Sequence, residues 1–220
     1  MSKEKQMSES FMVGSLLALV GGFLDAYTYI TRGSVFATAQ TGNIVLLGIN
    51  VSNGYFAKAI SYLVPIAAFS IGVIVAEIIK NRYPEKKNIH WRQIIIGIEC
   101  VALIVVALIP EEFNTVANVI VSFVCAMQVE SFRKFNGNPY ATTMCTGNLR
   151  SATEHLYYYR KNHDSKLLHK SLQYFMIIGF FILGACIGSL LSKVFYLKAL
   201  LFNLIALIIV IILMTQNEKR

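Results

Sequence analysis

Residues 11–30 include one charged side chain, Asp25, and five later stretches are almost as poor in charge: 56–79, 94–109, 115–132, 172–191 and 197–214. A helix needs about 20 mostly apolar residues to cross the hydrocarbon core of a bilayer. The chain therefore predicts an all-α membrane protein with six transmembrane helices and almost no soluble portion. Only 15% of its residues are charged, against roughly 25% in soluble domains. Two further stretches, 35–51 and 140–159, begin rich in Thr and do not read as independent spans.

The formal charge of +8 is collected in the connections between these stretches. Placing the N-terminus inside gives 16 Lys and Arg on inner segments and 4 on outer ones, the asymmetry of a positive-inside topology. Both termini are then cytoplasmic. No basic stripe interleaved with aromatics is present, so the predicted partner is the lipid bilayer and not nucleic acid. The first span is too long for a cleaved leader, and Asp25 separates it from the cleavage-like Ala37-Thr38-Ala39. Cys100, Cys125, Cys145 and Cys186 show no paired spacing, and His90, His155, His163 and His169 form no ligand set. Neither a metal nor another cofactor is expected.

Thr41-Gly42-Asn43 recurs as Thr146-Gly147-Asn148 after 105 residues, and the same offset carries Thr38 to Thr143 and Asp25 to Glu130. The chain thus reads as one transmembrane domain with two halves, about 11–110 and 114–214. Three spans per half is an odd number, so the halves insert in opposite directions, as in the inverted repeats of secondary transporters. Four spans per half would instead make them parallel. Each half carries a broken or re-entrant Thr-Gly-Asn segment, with Thr41 and Thr146 predicted as helix caps and Asn138-Pro139 as a breaker. Irregular backbone at membrane depth is tolerated only where protein buries it or it lines a cavity.

These segments define the candidate site: Asp25, Thr41, Gly42, Asn43, Glu130, Thr146, Gly147 and Asn148, with Gln40, Gln128, Thr38 and Thr143 as secondary candidates. An ionisable side chain within a span faces the bundle interior. Two roles for Asp25 and Glu130 stand side by side. They bind a cation or carry a proton, or they accept hydrogen bonds from N–H groups at the Thr-Gly-Asn helix starts and hold the break in place. Glu77 and Glu99 read as interfacial partners of Lys80 and Arg92. The stripes Gly14-Ala18-Gly22-Ala26, Ala68-Gly72-Ala76 and Gly184-Gly188-Ser192 predict close helix contacts, within one chain or across a homodimer.

The sequence Gly21-Gly22-Phe23-Leu24-Asp25-Ala26, followed by Phe36 and Thr41-Gly42-Asn43, resembles the first signature of the YoaK-like family of bacterial multi-pass membrane proteins. Thr142-Thr143 and Thr146-Gly147-Asn148 resemble its second. The resemblance spans about residues 11 to 214. It implies a place in the bacterial cell membrane and brings no catalytic residues with it, since the family is described only as membrane proteins of unknown function. Many members have an amide where this chain has Glu130, so the resemblance favours Asp25 over Glu130 as a proton carrier.

The expected function is a transporter of a small solute or ion, with or without proton coupling, with its site between the halves. An ion channel and a non-transporting membrane scaffold or sensor are the alternatives. No enzyme is expected, since the chain lacks H-E-x-x-H, a G-x-S-x-G elbow and a phosphate-binding glycine loop.

Overall fold

A computed structural model of the chain describes residues 7–83, 91–140, 142–143 and 145–217. His90 and the basic residues Lys3, Lys5, Lys86, Lys87, Lys219 and Arg220 of the charge count lie outside them. The described fold is helical apart from one small hairpin: α1 Phe11–Thr31, α2 Gln40–Ser52, α3 Phe56–Arg82, α4 Trp91–Leu108, α5 Asn114–Ser131, α6 Cys145–Asn162, α7 Ser165–Phe195 and α8 Leu200–Asn217. Five helical stretches are long and apolar enough to cross a membrane: Phe11–Thr31, Phe56–Arg82, Trp91–Leu108, Glu111–Ser131 and Ser165–Gln216. The last joins α7 and α8 through a 3-10 turn, Tyr196–Ala199, where Tyr196 takes a left-handed φ of 51°.

Two arginines, Arg32 buried and Arg92 half-buried, sit near the two ends of α1 and fix the helix directions. Arg32, just past the end of α1, is fully buried. It donates to the carbonyls of Val106 (2.8 Å) and Ile109 (2.9 Å) at the end of α4, to Asn114 Oδ1 at the start of α5 (3.1 Å), and to the Tyr27 hydroxyl (3.1 Å). Arg92, at the start of α4, donates to the Ser131 carbonyl at the end of α5 (2.8 Å) and to Ser8 Oγ (2.8 Å) just before α1. Helix C-termini leave carbonyls without intrahelical partners and bear partial negative charge, which a guanidinium satisfies on both counts. Thus α1 and α4 run one way and α5 the other. Gln93 of α4 bonds Thr215 of α8, which turns α8 against α4.

Long-range packing is led by α1 on α7 and by α3 on α5. Helix α2 lies on α3 and α6 on α7, while α1 packs on α8, α4 on α5, and α4 on α8. The small-residue stripes make these contacts, all inside the chain. A Cβ on Gly22 would run into the Phe181 carbonyl of α7, one on Gly184 into the Leu19 carbonyl of α1, and one on Gly72 into the Phe123 carbonyl of α5. The outward faces carry large exposed apolar residues, including Ile71, Ile74 and Ile78 of α3 and Val101, Ile104 and Val105 of α4. Such a surface suits lipid.

Candidate functional site

After α1, Gly33 and Ser34 adopt left-handed φ angles of 83° and 63° and turn the chain back along the helix it has just left. Residues 35–39 then form an irregular stretch, bent at Ala37 and Thr38 and without a backbone ladder. Their N–H groups are bonded one by one to side chains. Phe36 donates to Asn43 Oδ1 (3.0 Å), Ala37 to Thr28 Oγ1 (3.2 Å), Thr38 to Asp25 Oδ1 (2.8 Å) and Ala39, at 3.4 Å, to the same oxygen. The Thr38 hydroxyl donates to Asp25 Oδ2 at 2.7 Å. Asp25 lies six residues before the end of α1, roughly 9 Å along the helix axis. Helix α2 thus starts at depth beside Asp25 and returns along α3, whose Lys58 Nζ meets the Gly33 carbonyl at 3.3 Å.

The caps differ from expectation. The N-cap of α2 is Ala39, which offers no side-chain bond; Asp25, from another helix, accepts from the donors around the helix start. Thr41 lies inside the first turn and is exposed. Asn43 is fully buried and clamps the loop, its Nδ2 donating to the Phe36 carbonyl and to Gln40 Oε1. Gly42 lets the Phe36 ring close on the helix: a Cβ there would stand 2.8 Å from it.

The second segment is built differently. Asn136 and Gly137, at φ 47° and 79°, turn a short hairpin in which Lys134–Phe135 pairs with Asn138–Pro139. An Asn-Gly pair is the common signal for such a turn. Phe135 is buried among the rings of Phe11, Tyr140 and Tyr174. Asn138-Pro139 is therefore the return strand of a hairpin. Helix α6 begins at Cys145, which puts Thr146 within its first turn rather than at the cap. The Thr143 methyl abuts Gly21 at the middle of α1, so α6 also starts at depth. It then runs along α7, where Ser171 Oγ bonds the Ala152 carbonyl at 2.7 Å.

A cavity of about 930 Å³ joins the two starts. Asp25, Thr38, Gln40, Thr41, Thr143, Cys145, Thr146 and Gly147 line it together with apolar walls from Phe36, Phe69 and Phe181. Gly42, Asn43, Gln128, Glu130 and Asn148 do not, although Asn43 and Asn148 are buried. Glu130 departs furthest from expectation. Helix α5 ends one residue after it, so its carboxylate is half-buried at the helix end and bonds Arg133 at 2.9 Å.

Glu99 is the carboxylate that sequence reasoning misplaced. It is fully buried, and the Gln128 amide, with its nitrogen toward Glu99, donates to both carboxyl oxygens at 2.8 and 3.0 Å. Glu77 pairs with Lys80 at 2.8 Å as expected. The burial of Arg32 was not foreseen either, since a basic residue after a span reads as a loop charge.

Residues 13–213 match the family described as "Protein of unknown function (DUF1275)". The curated "UPF0700 transmembrane protein YoaK" of Bacillus subtilis (strain 168) is 28% identical over 192 residues, covering 83% of this chain and 84% of its own. No solved structure matches. With its long apolar helices and its match to a transmembrane relative, the chain is a multi-pass membrane protein and belongs to the YoaK-like DUF1275 family.

Proposed function

We propose that this protein is a transporter of a small solute or ion in the cell membrane, with its site in the cavity between the starts of α2 and α6. In this reading α1, α3, α4, α5, α7 and α8 are six spans. Helices α2 and α6 are re-entrant arms that enter from opposite faces, and both termini are cytoplasmic. The two halves are inverted copies: α1 to α4 correspond in order to α5 to α8. The exchange of partners supports this, since α1 packs on the third helix of the second half as α5 packs on the third helix of the first. Opposed half-helices whose N-termini meet near the membrane middle are a construction of secondary transporters. Alternating access would follow from one half rocking against the other around the cavity.

One observation carries the reading: two helix starts from different halves share a polar-tipped cavity beside a buried carboxylate. We assign the protein no catalytic activity. Flux into proteoliposomes, wild type against Asp25→Asn, tests the proposal. Loss of coupled uptake of an identified substrate supports a role for Asp25 in transport, and unchanged flux removes it from the mechanism. The hydrogen bonds of Asp25 to Thr38 and Ala39 also favour a second reading, a non-transporting scaffold in which the carboxylate only holds the loop. Asp25→Asn would then lower the melting temperature while no substrate moves in either form.

A further inference from the structure

Glu99 of α4 is fully buried, and no ion pair reaches it among the described residues. Its carboxyl meets the side-chain amide of Gln128 on α5, and that amide stands between two groups. Glu99 lies at one end, at 2.8 and 3.0 Å. The Leu17 carbonyl of α1 lies at the other, at 3.4 Å. An amide has one donor end and one acceptor end, an ionised carboxyl only accepts, and a protonated one also donates. Beside an ionised Glu99 the nitrogen must turn to the carboxylate, which leaves the amide oxygen toward Leu17, acceptor against acceptor. Beside a protonated Glu99 the oxygen accepts the carboxyl O–H, and the nitrogen is free to donate to Leu17. The two orientations of Gln128 thus answer to the two protonation states of Glu99.

We propose that Glu99 is a proton-binding site separate from the cavity, and that uptake of a proton turns the Gln128 amide over and ties α5 to α1 at Leu17. The proton adds to one carboxyl oxygen, and only hydrogen bonds are exchanged. In the ionised state Gln128 bonds α4 alone; in the protonated state it bridges α4 and α1. The other titratable groups around Glu99 are few. The Cys100 thiol follows it on α4, and the Cys125 thiol of α5 is within electrostatic reach of both Glu99 and Asp25 of α1. Helix α8 has no titratable side chain in residues 200–217. Helix α3 meets α4 around Ala76 and Ile95 and brings Glu77, paired with Lys80. The Tyr196–Ala199 turn brings Tyr196 and Lys198, with Tyr196 in reach of Arg32 and Glu111 at the far end of α4. None of these supplies Glu99 with a cation, so a proton is what can neutralise it in the bundle interior.

The test is infrared difference spectroscopy of the purified full chain in lipid, stepping from alkaline to acid pH across the range in which it stays folded, in H2O and in D2O. A carboxyl that takes up a proton gains a C=O stretching band that moves in D2O. Subtracting the Glu99→Gln difference spectrum from that of wild type is expected to leave such a band. Glu99→Gln keeps the size and the hydrogen bonds of the protonated side chain. Should it not be recovered folded, Glu99→Asp takes its place and is expected to shift the band. Asp25→Asn is expected to leave the band present, since that carboxyl belongs to the cavity. In a folded Gln128→Leu the band is expected to move to higher frequency, because the carboxyl O–H has lost its acceptor. Difference spectra that Glu99→Gln or Glu99→Asp leaves unchanged would overturn the proposal, as would a band removed by Asp25→Asn or indifferent to Gln128→Leu. No outcome depends on flux. Substrate uptake without a Glu99 band leaves the transporter reading intact, and a Glu99 band without uptake keeps the proton site.

Discussion

Asp25 holds Thr38 by two bonds, accepting its backbone N–H at 2.8 Å on one carboxyl oxygen and its hydroxyl at 2.7 Å on the other. The pair fixes where the loop stops and α2 begins, on the wall of the cavity. Asp25→Ala leaves three donors without an acceptor: the Thr38 N–H and hydroxyl and the Ala39 N–H. Each buried orphan costs about 1–3 kcal/mol, so Asp25→Ala is expected to lower stability by about 3 kcal/mol or more. Asp25→Asn keeps one acceptor oxygen and is expected to lose less. Thermal melts of the purified variants check the order, and equal melting points for Asp25→Ala and wild type would show that the loop does not depend on this carboxylate.

Arg32 offers a sharper contrast. Its guanidinium spans two carbonyls, an amide oxygen and a phenol, a fork that an ammonium cannot reproduce. Arg32→Met strands the carbonyls ending α4, and a loss of about 3 kcal/mol is expected. Arg32→Lys keeps the charge but not the geometry and is expected to fall between the two. Chemical or thermal unfolding in detergent measures both, and a lysine variant as stable as wild type would reduce the role of Arg32 to its charge.

These two residues mark what was readable before the fold was known. Asp25 stood out because a carboxylate within an apolar stretch has few acceptable surroundings, and the repeated Thr-Gly-Asn marked both arms. The apolar stretches located the long helices to within a few residues, apart from the extended ends of α7. Glu130 lies away from the cavity because α5 stops one residue past it, whereas α1 continues six residues past Asp25. Glu99 was read beside Arg92, its neighbour in sequence. Seven residues of helix separate them by roughly 10 Å, and the partner of Glu99 is Gln128 on another helix. Contacts between helices of this kind leave no local pattern to read.

Glu99 and Gln128 are expected to act as a unit. Gln128→Leu leaves the buried Glu99 carboxyl without its donors and should destabilise strongly, by about 3 kcal/mol. Removing both with Glu99→Leu and Gln128→Leu together replaces a polar pair with apolar bulk and is expected to recover most of the loss. A double-mutant cycle on melting data reads the coupling directly. Additive effects of the single changes would mean that the two side chains do not depend on each other.

Glycines divide by what surrounds them. Gly22 and Gly184 sit where α1 and α7 touch backbone to backbone, and a Cβ at either meets a carbonyl oxygen. Gly22→Ala and Gly184→Ala are expected to destabilise by about 1–3 kcal/mol through overpacking. Gly97 lies within α4 with nothing near its missing Cβ. Gly97→Ala is expected to stabilise by up to about 1 kcal/mol, since alanine is the better helix former. Melting points of the three variants suffice, and a neutral Gly22→Ala would show that the two helices separate readily.

The membrane topology gives the last expectation. Arg32 gathers the ends of α1 and α4 and the start of α5 at one face, while Arg92 gathers the starts of α1 and α4 and the end of α5 at the other. In the proposed topology the Arg92 face is the cytoplasmic one, as the excess of basic residues predicts. In a background without native cysteines, Asn53→Cys and Asn114→Cys should react with an impermeant thiol reagent added to intact cells. Asn88→Cys and Asn162→Cys should react only after permeabilisation. Asn162 ends α6 and Asn53 follows α2, so this pair tests the proposal that the two arms emerge on opposite faces. Labelling of both from the same side would place the arms on one face and leave the inverted arrangement, and the transporter built on it, without support.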